Sequence, residues 1–143
     1  EIDSGKIACI GNSGGGTATY YAACVDERIK FAISSCSVCS YKYSIGSIFH
    51  CSCNYIPQSA KYFDMGELAC MIAPRSLLIV AGRKDDIFPI EGSREVYKVI
   101  EDIYRRENAE GKCHYVETDR EHWFCKDLVW ENIVKIINTD LKW

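Results

Sequence analysis

The sequence predicts an α/β domain built on a mainly parallel sheet. Apolar runs and amphipathic stretches alternate along the 143 residues, and the run Leu77-Leu78-Ile79-Val80-Ala81 is apolar throughout before ending at Gly82. A strand covered by helices on both faces reads as such an unbroken run, whereas a half-exposed strand would alternate. With 48% hydrophobic residues the chain can bury one core, so a single domain over 1–143 is expected.

The elements follow in order. Lys6–Ile10 is the first expected strand, and Gly14–Cys24 the first helix, its small residues suited to close packing on a sheet. Phe31-Ala32-Ile33-Ser34 is a short second strand, and Leu77–Ala81 the third. From about Glu91 to Glu107, Val96, Val99, Ile100, Ile103 and Tyr104 recur at helical spacing. Cys113–Val116 is the last strand, and Asp127–Asn138 the closing helix. Between 35 and 74 the alternation is interrupted by aromatics, serines and cysteines, with one short amphipathic piece at Met65–Ile72. An insertion there would act as a lid over the C-terminal strand ends, where open α/β sheets bind ligands.

Composition excludes several functions. The net charge of −3 is spread over both signs, so no basic stripe argues for nucleic acid or a membrane surface. No apolar run approaches the roughly 18 residues of a spanning helix. The chain begins at Glu1 rather than Met, and strand-like sequence starts within a few residues, so it reads as cut from a longer one. Nine cysteines is an odd count, and Cys9, Cys24 and Cys70 fall in expected strands or helices. Buried free thiols behave as small hydrophobes, which favours a reducing, cytoplasmic location over a disulfide framework.

The strongest chemical signal is Gly11-Asn12-Ser13-Gly14-Gly15-Gly16, directly after Ile7-Ala8-Cys9-Ile10. Gly-x-Ser-x-Gly between a strand and a helix is a nucleophile elbow, in which a strained turn exposes the serine hydroxyl beside a helix N-terminus. The glycines are expected because side chains flanking so tight a turn would clash. A serine needs a base, and the base needs an acid to fix its tautomer. Of three histidines, His114 lies inside a strand pattern and His50 in the cysteine-rich insertion. His122, in the polar loop Asp119-Arg120-Glu121-His122 after the last strand, is the expected base. Asp85 and Asp86 both follow the third strand; Asp85 is the expected orienter, because Asp86 abuts the apolar Ile87-Phe88-Pro89.

The order Ser13…Asp85…His122 is that of the α/β-hydrolase triad. The chain resembles the C-terminal half of an α/β-hydrolase, most closely the bacterial acetyl xylan esterase-like and dienelactone hydrolase-like branch. The resemblance rests on Gly11–Gly16, His50-Cys51-x-Cys53-Asn54-Tyr55-Ile56-Pro57, Ile72-Ala73-Pro74-Arg75 with Leu77–Gly82, Asp85-x-Ile87-Phe88-Pro89, and His122. It implies about four mainly parallel strands with flanking helices, the N-terminal strands of the full fold being absent. It also implies a serine esterase acting on a small-molecule ester, with an acetyl group the expected acyl, and neither cofactor nor metal. The backbone N–H of Gly14 would be one oxyanion donor; the second would come from the absent strands. Arg120 and Glu121 depart from the small residues such relatives often carry before the histidine.

Two further expectations concern other classes of function. Cys36-x-x-Cys39 followed by His50, Cys51 and Cys53 offers thiols and an imidazole of the kind zinc favours, so a zinc-binding or otherwise non-catalytic interaction module is the alternative. Finally, a first strand lacking one neighbour would expose its edge, blunted only by Glu1, Asp3 and Lys6, and self-association through that edge is expected.

Overall fold

A computed structural model describes residues 3–143, apart from the side chain of Cys53. Glu1, counted above among the edge charges, and the Cys53 thiol, counted among the zinc ligands, lie outside the described residues.

Among the described residues, four strands form one sheet in the order β1-β2-β3-β4: β1 (Ile7–Asn12), β2 (Ile29–Ser35), β3 (Ser76–Gly82) and β4 (Cys113–Thr118). Every neighbouring pair is parallel. Three helices complete the framework: α1 (Gly14–Val25), α2 (Ile90–Arg106) and α3 (Lys126–Ile136). The run at 77–81 reads as predicted, because all of β3 is buried. Its side chains divide by the two-residue period of a strand. Leu77 and Ile79 join Tyr20 of α1 and Ile100 and Tyr104 of α2 on one face. Leu78 and Val80 join Val129, Ile133 and Ile136 of α3 on the other. Parallel strands need such crossover connections, and the helices supply both covering layers.

β1 differs from β3 in one respect. Among the described residues it pairs only with β2, and Ile10 on its outer face is 47% exposed. Ile7 and Cys9 face inward against the α1 and α2 side of the core.

The β2–β3 connection contains three short 3-10 turns, Ser52–Asn54, Ser59–Lys61 and Glu67–Met71. The last occupies the piece expected at Met65–Ile72. Arg75 anchors the end of this connection: its guanidinium donates to the carbonyls of Ala23, Asp26, Ile29, Met71 and Ile72. The return into β3 is thereby tied to the C-terminal end of α1. Tyr20 adds a second tie, its hydroxyl donating to the Met65 carbonyl at 2.8 Å.

Candidate active site at the C-terminal ends of the strands

Ser13 joins β1 to α1 with φ 55° and ψ −127°, outside the helical and extended regions. A non-glycine residue with positive φ is costly and persists only where its surroundings hold it. Two contacts do so here. The Ser13 N–H donates to the Ser35 carbonyl at 2.8 Å, and the Ser13 carbonyl accepts the N–H of Thr17 at 2.9 Å. The expectation for the glycines needs division. A Cβ on Gly11 would fall on the carbonyl of Gly15, and one on Gly16 would lie 2.7 Å from the Ser35 carbonyl oxygen. Gly14 and Gly15, in contrast, face open space. The tightness lies between strand end and helix start, not on the outer side of the turn. Gly14 opens α1, so its N–H has no acceptor within the helix and is free for a ligand.

Asp85 sits in the loop between β3 and α2, and its carboxylate is wholly buried. Oδ1 accepts the N–H groups of Ile87 and Phe88, each at 2.9 Å. Oδ2 lies 2.9 Å from Nδ1 of His122. Asp86 beside it is exposed. A buried carboxylate requires donors, and three converge on this one. A proton on Nδ1, bonded to Asp85, leaves Nε2 of His122 as an acceptor.

The His122 loop is seated by backbone contacts. Lys84 N–H donates to the Arg120 carbonyl at 3.0 Å, and Arg83 N–H to the Thr118 carbonyl at 2.8 Å. Gly82 makes the approach possible, since a Cβ there would lie 2.6 Å from the Glu121 oxygen and 2.7 Å from that of Arg120. The departure from small residues at 120 and 121 is accommodated because both side chains are exposed and only their carbonyls face the sheet.

Three further neighbours, Phe88, His50 and Cys36, have no role assigned beside His122 by the sequence reading. Phe88 stacks on the His122 ring with centroids 5.7 Å apart, and His50 meets the same phenyl edge-on at 5.3 Å. Burial, and secondarily the nearby charge of His122, lowers the His50 pKa below its usual value. Cys36, following β2 with φ 49°, brings its thiol among Asp85 and His122. Phe88 and His50 lie in the quoted segments Asp85–Pro89 and His50–Pro57; no local pattern marks Cys36 as part of the site.

His114 lies in β4, as its strand pattern implied, with Nε2 2.6 Å from Asp140. Ser13 follows β1 and the Asp85–His122 pair follows β3 and β4, with β2 between them; Ser13 is linked to this region through Ser35 at the end of β2, the residue before Cys36. Among the described residues no side-chain hydrogen bond joins Ser13 to His122. An open cleft of about 450 Å³, lined in part by Lys84, Asp86, Arg120 and Trp123, has His122 in its wall.

The set of zinc ligands proposed from spacing does not assemble among the described residues. The Cys39 thiol points to the Pro89 carbonyl, His50 Nε2 lies 3.0 Å from the Ser44 hydroxyl, and Cys51 is exposed. Cys36 instead meets Asp85 and His122. Close spacing along an irregular segment is no guide to where its side chains point. No helix among the described residues is long and apolar enough to cross a membrane.

No family model matches the chain. Over 146 aligned positions it is 29% identical to the provisionally named hydrolase YtaP of Bacillus subtilis (strain 168), covering 100% of this chain and 48% of that protein. Among solved structures, a family 15 glucuronoyl esterase from Caldicellulosiruptor kristjansonii superimposes with a TM-score of 0.78 at 21% identity, covering 99% of this chain and 45% of the esterase. The glucuronoyl esterase catalytic domain of Hypocrea jecorina gives a TM-score of 0.78 at 17% identity, covering 99% and 46%. The chain thus spans about half the length of these relatives. At these identities the structures speak for the fold. With its four parallel strands and flanking helices, the chain has part of the α/β-hydrolase fold.

Proposed function

We propose that Ser13, His122 and Asp85 are nucleophile, general base and orienting acid of a carboxylic ester hydrolase acting on short acyl, in particular acetyl, esters. The observation that carries this reading is the buried Asp85 carboxylate, fixed by two backbone N–H groups and bonded to His122 Nδ1. With its Nδ1 proton donated to Asp85, the imidazole presents Nε2 to the serine. Nε2 takes the Ser13 proton as Oγ attacks the ester carbonyl, and Asp85 stabilises the imidazolium formed. The Gly14 N–H is the donor this chain offers to the developing oxyanion. Collapse of the tetrahedral intermediate expels the alcohol, which receives its proton from Nε2, and water then releases the acyl group by the same route.

The acetyl preference is supported by the sequence resemblance stated above. In this reading the segment between β2 and β3 is a lid-like insertion, supported by His50 reaching Phe88 beside the triad. The small-molecule ester enters through the cleft walled by His122. Single buried thiols such as Cys24, Cys39 and Cys113 support a reducing, cytoplasmic setting. The edge of β1, with Ile10 exposed, is the surface through which copies of the chain associate.

The test is hydrolysis of p-nitrophenyl acetate and acetylated sugars by the protein and its Ser13→Ala variant, with circular dichroism to verify folding. Loss of about three or more orders of magnitude in kcat is expected, as for removal of a triad member. Turnover within a few-fold of the parent would overturn the assignment. A preference for long acyl chains would overturn the acetyl reading. Light scattering at micromolar concentration should show association, and a monomer would refute the role of the edge.

A further inference from the structure

We propose that Cys36, Asp85 and His122 form a site for a thiophilic divalent cation of the zinc class, and that occupancy of this site switches the hydrolase off. One ligand atom from each of the three residues lies within 4.8 Å of the other two, and among the described residues no other such group is present. This ligand set differs from the one the cysteine spacing suggested and shares only Cys36 with it.

The three side chains come from three separate connections. Cys36 follows β2, Asp85 follows β3 and His122 follows β4, so the sheet itself brings them together. Each is held. The Cys36 N–H donates to the Val80 carbonyl at 2.8 Å, its thiol lies 3.6 Å from the Trp123 carbonyl, and Asp85 and His122 are bonded at 2.9 Å. The Ser35 hydroxyl, which donates to Asn12 Oδ1 at 2.8 Å, lies 3.7 Å from the Cys36 sulfur.

Thiolate, imidazole and carboxylate are zinc donors, and three protein ligands with an open fourth position make a recurrent tetrahedral arrangement. Metal–ligand bonds of about 2.0–2.3 Å separate the donors by about 3.3–3.8 Å. The donor atoms here lie within 4.8 Å of one another, at most about an ångström beyond that spacing. The thiol binds such a cation as the thiolate, so ligation displaces the Cys36 proton.

Coordination also accounts for the loss of activity, and this part rests on the reading of Ser13 and His122 given above. Binding releases the Cys36 proton to solvent. As Nδ1 of His122 becomes a ligand, the proton it donated to Asp85 is replaced by one at Nε2, so the imidazole stays neutral. A protonated Nε2 cannot accept the Ser13 proton. The cation holds the base in the wrong tautomer.

Titration of the reduced protein with Cd²⁺ as a spectroscopic probe, followed by Zn²⁺ competition, reads binding without turnover. The expected result is a thiolate-to-Cd²⁺ charge-transfer band equivalent to one site, displaced by Zn²⁺, lost in Cys36→Ser and Cys36→Ala. Loss of a ligand costs at least the 10–100-fold typical of supporting groups, so His122→Asn should weaken binding by roughly that factor or more. Zn²⁺ should inhibit ester turnover, reversibly by EDTA. Cys36→Ser or Cys36→Ala should need at least about ten times more Zn²⁺, each judged against its own metal-free rate. A band undiminished in both Cys36 variants, carried by exposed thiols such as Cys51 and Cys70, would overturn the site. So would Zn²⁺ inhibition unchanged by either substitution. A Cys36-dependent band in a protein that hydrolyses no ester would uphold the site while refuting the hydrolase reading.

Discussion

Replacing Asp85 with Asn should disable turnover while leaving the protein folded, and the reason lies in how the carboxylate is clamped. Asp85 accepts from Ile87 and Phe88 through one oxygen and from His122 through the other. An asparagine of the same shape can orient its amide in two ways. With its NH₂ toward Ile87 and Phe88, two buried backbone N–H groups lose their acceptor, at about 1–3 kcal/mol each. With its carbonyl toward them, both bonds survive and the NH₂ faces His122 Nδ1. The second orientation wins. Nδ1 then becomes an acceptor, the ring proton moves to Nε2, and the base is lost. A triad change of this kind costs about 10⁴ in kcat, or about 5.5 kcal/mol of transition-state stabilisation. Asp86, being exposed, should give an effect within a few-fold when made Asn. The assay is kcat on p-nitrophenyl acetate for both variants, with urea unfolding to show that Asp85→Asn retains most of its stability. A loss below ten-fold at Asp85, or a larger loss at Asp86, would refute the reasoning.

Other expectations follow from the packing around the site. Phe88→Ala removes a 4%-exposed ring that contacts both His50 and His122. It should cost about 3–5 kcal/mol in urea unfolding and should lower kcat as well; an unchanged stability would contradict the packing described. Glu117 is held at about 2 by Arg94 first and Arg83 second. Because the folded pKa lies below the unfolded value of about 4.3, its contribution is present above that value and disappears as pH falls toward about 2. Glu117→Gln should therefore be less stable than the parent at neutral pH, with the difference shrinking through that acid range; a pH-independent difference in denaturant midpoint would count against it.

The parts of this molecule that were legible in its sequence are those where one local constraint decides. An unbroken apolar run at 77–81 needs two covering layers, and β3 has them. Strand boundaries were less legible. β1 continues from the apolar Ile10 to Asn12 because backbone pairing with Ser34 and Ser35 depends on register, not on hydrophobicity. The preference for Asp85 rests on Asp86 abutting the apolar Ile87-Phe88-Pro89, and in the structure two N–H groups of that turn, those of Ile87 and Phe88, bind the Asp85 carboxylate. The Phe88–His50 contact and the place of Cys36 come from residues 38 and 49 positions apart or more in the chain, brought together by the sheet. Spacing within 36–53 suggested ligands of one ion, but a segment without periodicity carries no information about the direction of its side chains.

If Ser13 is the activated nucleophile, covalent capture will mark it. The protein should be treated with a fluorophosphonate, whose phosphorus is attacked by an activated serine with loss of fluoride, and the adduct located by tandem mass spectrometry. One phosphonyl group per chain on Ser13 is expected, absent in Ser13→Ala and formed far more slowly in His122→Ala. Ester hydrolysis with no adduct at Ser13, or an adduct on another residue that abolishes turnover, would contradict the account.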